Sequence, residues 1–315
     1  MREAFKIFQP QGAGPPPVSP PFAALRGGAA PHRVRFVSAP PSFTRHGPPE
    51  PVSPVILSVP HAGRDYPLPL RAALCVPLPA LLPLEDRHAD TLALDAADQE
   101  QVIVAHRARA WIDLNRAEHE RDSRIDEGAA AMPESALSAK LRSGLGLVPR
   151  RASGADLWRR RFTAEEIHAR IVDDHRHYHE TLAGMLAAAR ARFGIAILLD
   201  IHSMPPLASG AARIVIGDRF GRSAASRFVA RIEGVAHAAR VRTAVNTPYA
   251  GGHILERHGN VARDVHAIQI EIDRTLYLDR KRESPGAGFG ATAALLRQIV
   301  DAVTDEAMPL ATAAE

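Results

Sequence analysis

Hydrophobic residues in this chain fall into short unbroken runs, separated by longer stretches where apolar residues recur at helical spacing. The clearest runs are residues 55–59 (VILSV, closed by Pro60), 101–105 (QVIVA) and 195–201 (IAILLDI). Runs this short and this apolar read as strands, and the third is suited to a central strand covered on both faces. Residues 111–114, 213–216, 240–245 and 266–272 are predicted strands on the same grounds. Helices are predicted over residues 90–99, 219–237 and 291–307. A further helix opens at Thr163-Ala-Glu-Glu166 and runs to about residue 192, ahead of Gly194. That opening is a capping box, in which the Thr oxygen and the Glu carboxylate satisfy first-turn N–H groups, and glycine commonly ends a helix. Strands alternating with helices predict an α/β fold: a three-layer α/β/α arrangement around a mixed, mostly parallel central sheet. The functional site is then expected at the C-terminal strand ends.

Two stretches break this pattern. Residues 10–54 are dense in Pro, Gly and Arg, with almost no hydrophobic periodicity. Such a segment buries too little apolar surface to offset its ordering entropy, so residues 1–54 are predicted to be largely disordered, ahead of one domain over residues 55–315. Within it, Gly14-Pro-Pro-Pro-Val-Ser-Pro20 is nearly repeated as Gly47-Pro-Pro-Glu-Pro-Val-Ser-Pro54. Joining Phe5-Lys-Ile-Phe8 and the first copy directly to Val55 gives a natural lead-in, so the stretch between the copies reads as an insertion or duplication without catalytic content. The second stretch, residues 116–158, is polar and punctuated by Gly and Pro, a long loop of the kind that carries function.

Ionisable residues gather where predicted strands end. Ser58-Val-Pro-His61-Ala-Gly63 sets His61 at the mouth of the first strand, and Leu199-Asp200-Ile-His202-Ser203 does the same for His202. Gln269-Ile-Glu271 puts a carboxylate inside an apolar strand. One histidine near a core is usually structural, but two leaving buried strands for loops point to a shared site. Imidazoles suit zinc, and a catalytic zinc takes three protein groups and keeps one position for water. Glu271 is then the candidate base for that water. Glu85-Asp86-Arg-His88-Ala-Asp90 lies at a predicted helix start. Acids there can simply complement the macrodipole. Alternatively Asp86 or His88 completes the metal shell, with Asp90 orienting a ligand from behind.

Asp113-Leu-Asn115-Arg116 ends in a guanidinium that is either a surface ion-pair partner or a clamp for a substrate carboxylate. Gly251-Gly252-His253, followed by Arg257-His258-Gly259, is a turn-rich loop able to bring backbone N–H groups close to a ligand. In Asp173-Asp174-His175-Arg-His177-Tyr178-His179, His175 and His179 share a helix face four residues apart. We read this cluster as a polar face with one or two residues, His179 among them, reaching the site, and a second zinc site as the minority reading.

Composition narrows the field. Lysine occurs three times (Lys6, Lys140, Lys281) and every other basic residue that is not His is Arg, at a net charge of +4. Aromatics make up 5% and are not interleaved with a basic stripe, which argues against nucleic-acid binding. Cys75 stands alone, excluding an intrachain disulfide and a Cys-based zinc site. No apolar run has the length of a membrane span and the N-terminus lacks the order of a signal peptide, so a cytoplasmic protein without membrane association is expected.

Taken in order, these motifs resemble the N-formylglutamate amidohydrolase family. The ordered set is Ser-Val-Pro-His61-Ala-Gly, Asp86-x-His88-x-Asp90, Asp113-Leu-Asn-Arg116, Gly146-Leu-Val-Pro149 with Gly154, and Tyr178-His179. It continues with Leu-Asp200-Ile-His202-Ser, Asn246 with Gly251-Gly252, and Ala-Ile-Gln-Ile-Glu271 with Tyr277, over roughly residues 55–280. The resemblance implies hydrolysis of N-formyl-L-glutamate, a small acidic molecule, to formate and L-glutamate, late in histidine breakdown. It also implies a fold similar to zinc-dependent exopeptidases of the carboxypeptidase type. His61, His202 and one of Asp86 or His88 would hold zinc or another divalent metal, and Glu271 would move the proton. Arg116 with Arg257 would grip substrate carboxylates beside Asn115, and Asp200 would steer a ligating imidazole. Two positions depart from the pattern: Arg64 stands where carboxypeptidases carry a Glu ligand, and Arg87 where the family commonly has an aromatic residue. The second departure bears on which substrate is accepted. Alternatives of other kinds are a deacylase of another N-acyl amino acid and a non-catalytic protein that binds an acidic metabolite.

Overall fold

The computed structural model describes residues 41–308. Its frame is a seven-stranded sheet in the order β1-β3-β2-β6-β9-β7-β8. The strands are β1 (Phe43–His46), β2 (Val55–Val59), β3 (Gln101–Ala105), β6 (Ala196–Met204), β7 (Ile214–Gly217), β8 (Thr243–Val245) and β9 (Val265–Asp273). A small hairpin, β4 (Arg151–Ala152) with β5 (Ala155–Asp156), lies apart. The four central strands β3, β2, β6 and β9 run parallel, while β1 and β7 pair antiparallel with β3 and β9. The sheet is therefore mixed and mostly parallel, as expected.

Helices cover both faces. On one face lie α4 (Ala164–Arg170), α5 (His177–Phe193) and α7 (His253–His258), whose Ile167, Leu182, Met185 and Leu255 pack with Ile56, Leu198 and Ala267 of the sheet. On the other lie α2 (Ala89–Ala96), α6 (Ser226–Ala238) and α8 (Phe289–Ala307), whose Leu92, Phe228, Ile232, Leu296 and Val300 pack with Leu57, Leu199 and Ile270. Alternate strand residues thus serve two cores, which is why the runs read as continuously apolar. Short helices α1 (Leu68–Ala73) and α3 (Ala139–Arg142) complete the set.

The α4 face of the three central strands carries the site. Across β2, β6 and β9 the register aligns Ile56, Leu198 and Ala267 in one row and Ser58, Asp200 and Gln269 in the next. His202 and Glu271 are aligned one step further along. The face passes from apolar core to ionisable chemistry within five residues, at the C-terminal ends where parallel sheets place their ligands.

Three expectations are corrected. Disorder was expected to reach residue 54, but β1 forms the sheet edge by backbone pairing with β3, a signal that side-chain periodicity does not carry. The second proline-rich copy follows it: Pro48 and Pro49 accept hydrogen bonds from Gln101 Nε2, and Gly47, at φ +90°, lies against the Glu100 backbone. The first copy and the 5–8 lead-in lie outside the described residues. Residues 111–114 are not a strand but a turn: Trp111 N–H bonds the Ala108 carbonyl and Asp113 N–H the Leu147 carbonyl. Ile112 and Leu114 are buried by loop packing without a partner strand, so the apolar pattern misled. The helix capped by Thr163 does run to Phe193 and ends at Gly194, φ +77°, but its middle, Ile171–Arg176, is a π-helical turn.

Candidate active site

His61 leaves β2, Asp86 precedes α2, and His202 lies on β6; the three converge. One ligand atom from each falls within 4.8 Å of the others. Asp86 Oδ2 is 3.1 Å from His202 Nδ1 and 3.6 Å from His61 Nδ1. The far nitrogen of each imidazole donates to a buried carboxylate, His61 Nε2–H to Asp113 Oδ1 at 2.7 Å and His202 Nε2–H to Asp200 Oδ2 at 2.8 Å. These bonds fix both rings with Nδ1 turned to Asp86, the outer-shell arrangement found behind metal-ligating histidines. His61 Nδ1 is buried and has no hydrogen-bond partner among the described residues. Two imidazoles, one carboxylate and an orphaned lone pair fit a divalent metal such as zinc.

Buried carboxylates hold the rings. Asp200 accepts from Ser58 Oγ at 2.7 Å, and Ser58 in turn accepts from the Tyr178 hydroxyl at 2.9 Å. Burial alone would raise the Asp86 pKa, but the hydrogen bond from His202 and the charge of the neighbouring imidazoles outweigh it and hold the carboxyl well below its usual range. Burial would likewise raise Asp113, but the charge of Arg109 and then of His61 keeps it well below. Burial works against the His202 cation, and the Asp200 carboxylate raises its pKa well above the ordinary value nonetheless.

Glu271 lies next to His202 in the sheet, and its Oε1 accepts from Gln269 Nε2 at 3.0 Å. Burial pushes its pKa up to about 7; the His202 cation opposes the shift and the Asp86 charge adds to it. This is the position of a proton acceptor poised near neutrality.

The cluster opens into a cavity of about 440 Å³ lined by Arg109, Asn115, Arg116, Lys140, Tyr249 and Gly251, with His61, Asp86, His202 and Glu271 at its base. A second hollow of about 350 Å³ shares Arg116, Lys140 and Gly251 with it and is also walled by Gly252, His253 and His119. Arg116 Nε and Nη1 are held by the Leu145 and Asn115 carbonyls, while Nη2 has no hydrogen-bond partner among the described residues. Asn115 Oδ1 accepts from Ile254 N–H at 2.9 Å, locking the loop to the start of α7. A Cβ on Gly252 would stand 2.4 Å from that oxygen, so the close approach requires glycine.

Several expected site residues lie elsewhere. His88 takes φ +58° at the start of α2 and turns away from the cluster: its Nε2–H bonds the Glu283 carbonyl at 3.0 Å, with Arg64 Nη1 3.4 Å from Nδ1. Asp86, not His88, stands beside the two imidazoles. Asp90 contacts no candidate ligand; it pairs with Arg64 at 2.6 Å, so Arg64 is bound outside the site. Arg87 faces Glu85 and lines a different hollow. Arg257 is exposed on α7 and lines neither of the two joined cavities. His179 is fully buried behind the Asp113–Arg116 loop, where its Nε2–H bonds the Leu114 carbonyl.

The model of the N-formylglutamate amidohydrolase family matches residues 53–278. The chain belongs to that family. Among curated relatives, an N-formylglutamate deformylase of Pseudomonas aeruginosa is 28% identical over 79% of this chain and 92% of its own. One of Pseudomonas putida is 30% identical over 72% and 82%. The crystal structure of N-formylglutamate amidohydrolase from Ralstonia eutropha JMP134 superposes with a TM-score of 0.74 at 28% identity, covering 84% of this chain and 97% of the other. As a member of the N-formylglutamate amidohydrolase family, this chain is a hydrolase acting on an amide bond.

Two arginines that the sequence did not single out lie against the cluster. Arg109 Nε donates to Asp113 Oδ2 at 2.8 Å, and Arg274 Nη2 reaches Asp86 Oδ1 at 3.2 Å. Neither carried a sequence signal, since each is one arginine among many. Lys140 did: it is one of three lysines in an arginine-dominated chain. Loss of solvent, and then the Arg116 charge, lower its pKa, and no carboxylate among the described residues forms an ion pair with it. No helix among the described residues is long and apolar enough to cross a membrane.

Proposed function

We propose that this protein hydrolyses N-formyl-L-glutamate to formate and L-glutamate at the His61–Asp86–His202 cluster. The observation that carries the proposal is the pairing of that cluster with Glu271 at the base of a cavity walled by Arg109, Arg116 and Lys140. A dianionic substrate fits three cations at the wall, and the formyl group is small enough to reach the base of the pocket. When bound by His61 Nδ1, Asp86 Oδ2 and His202 Nδ1, a zinc-like cation would supply Lewis acidity toward the formyl oxygen and a water.

The protein's own groups carry the protons. Glu271 takes one from the attacking water and returns it to the departing nitrogen, so water and formamide become formic acid and an amine, which part as formate and ammonium. Arg116 offers its unpartnered Nη2 and Lys140 its ammonium to the substrate carboxylates. Asn115, fixed by α7, keeps the loop that carries Arg116 in place. Asp113 and Asp200 hold the two imidazoles in one tautomer.

Formate release by the purified full chain, with and without prior chelation, tests this reading. A panel of formyl, acetyl and succinyl amino acids should show the highest kcat/KM for N-formyl-L-glutamate. Preference for another acyl group would overturn the substrate, and full activity after chelation would overturn the metal.

A further inference from the structure

A second group of imidazoles lies behind the Asp113–Arg116 loop, and the chemistry above does not use it. His175 stands in the π-helical turn Ile171–Arg176, His179 on α5, and His253 at the start of α7. His175 Nε2–H donates to the Arg116 carbonyl at 2.8 Å and His179 Nε2–H to the Leu114 carbonyl at 2.9 Å. Carbonyl oxygens only accept, so both Nε2 atoms hold the proton and both Nδ1 atoms hold lone pairs. His175 Nδ1 and His253 Nε2 are buried without a hydrogen-bond partner among the described residues. His179 Nδ1 has only a neighbouring imidazole, accepting from His258 Nε2–H at 2.9 Å. One ligand atom from each of His175, His179 and His253 lies within 4.8 Å of the others.

We propose that His175, His179 and His253 form a second binding site for a zinc-class divalent cation, distinct from the His61–Asp86–His202 cluster. Buried, converging ring nitrogens, two of the three without a partner among the described residues, are what a cation would satisfy and what a packed core would avoid. An imidazole whose other nitrogen donates to a main-chain carbonyl is oriented as metal ligands commonly are. Three neutral imidazoles suit zinc, cobalt, nickel or copper and not calcium or magnesium. Burial lowers the pKa of all three, to about 4 for His253, so protons do not compete for the site at neutral pH. Tetrahedral zinc places its nitrogens about 3.3 Å apart, so binding draws the rings together and releases His179 from His258. Glu118, whose Oε1 is 4.0 Å from His175 Nδ1 and whose carboxylate pairs with Arg176, is an anion within reach of a fourth position, and it offsets the Arg257 charge on the His175 ring. A cation here would tie α5 and α7 to the loop that carries Asp113, Asn115 and Arg116.

The two sites separate by substitution. Full-length protein is stripped with chelator and titrated with cobalt(II), followed by visible absorption and by bound metal after dialysis. In a His202→Ala background, which disables the first cluster, about one equivalent should remain bound. Adding His253→Gln or His175→Gln to that background should abolish it. Thermal unfolding of His202→Ala should shift upward with added zinc, and the shift should vanish in the double variants. The proposal is overturned if His202→Ala binds no cobalt, or if neither added glutamine changes what it binds. Failure of the catalytic cluster to bind metal would instead show as wild type and His202→Ala binding alike. Circular dichroism of each metal-free variant, expected to match wild type, separates loss of a ligand from loss of the fold.

Discussion

His202 and Glu271 are register partners on adjacent parallel strands, so backbone pairing alone brings the candidate ligand and the candidate base side by side. Replacing Glu271 by Gln keeps the hydrogen bond to Gln269 sterically possible and removes the base. We expect kcat to fall by roughly 10²–10⁴-fold, the usual contribution of a positioned base. Metal content should be unchanged; turnover within a few-fold of wild type would remove Glu271 from the mechanism.

Protonation of the same residue sets the acid side of the pH profile. Burial raises the Glu271 pKa to about 7, so the basic form is lost as pH falls through that value and activity should fall with it. A bound cation nearby favours the carboxylate and moves the limb to lower pH. The acid limb of kcat/KM should therefore lie at or below about 7 and shift when the bound metal is exchanged. A profile flat from neutrality down to the ordinary carboxylate range would contradict a buried base.

Asp113 acts on His61 from behind. In Asp113→Asn the acceptor for His61 Nε2–H weakens and the opposite tautomer becomes accessible. Metal affinity in a competition titration against a coloured chelator should drop about 10–100-fold. Unchanged affinity would mean that His61 needs no such partner.

Arg116 and Lys140 should separate by kinetic parameter. Lys140→Met, at the rim, should raise KM with little change in kcat, because it contributes attraction without touching the amide. Arg116→Ala leaves a buried loop short of a cation and should lower kcat/KM by at least about 10-fold. Substrates lacking the side-chain carboxylate should be less sensitive to one of the two, which would identify the carboxylate each residue holds.

Gly252→Ala probes how the loops are joined. Its Cβ would meet Asn115 Oδ1 at 2.4 Å, forcing the amide away from Ile254 and the loop away from α7. Displacements near 1 Å at an active site cost on the order of 10²-fold in rate. The loss should appear in kcat/KM while far-UV circular dichroism stays native.

Much of this molecule was legible in its sequence. β2, β6 and β9 stood out because both faces of each strand are buried, and His61, His202 and Glu271 were visible as ionisable breaks in those runs. What stayed hidden depends on partners far along the chain. β1 owes its place to β3, and its own residues are mostly polar. Asp86 and His88 are two residues apart and chemically plausible alike; a left-handed backbone at His88 decides between them, and nothing local announces it. Residues 111–114 have the composition of a strand, yet their backbone bonds to the Ala108 and Leu147 carbonyls of neighbouring turns while Ile112 and Leu114 join the main core. Arg109, one arginine among many, acquires meaning only from the cavity it lines.

The pairing of β6 with β9 also limits how this enzyme could change. A slip of one residue would turn Glu271 toward α8 and leave an apolar neighbour facing the imidazoles, a chain still able to collapse but chemically silent. The distance between base and ligand is therefore as rigid as the sheet itself. Adaptation to a different acyl amino acid is left to the opposite wall, where short helices and loops over residues 116–158 carry Arg116 and Lys140 and answer to no strand register.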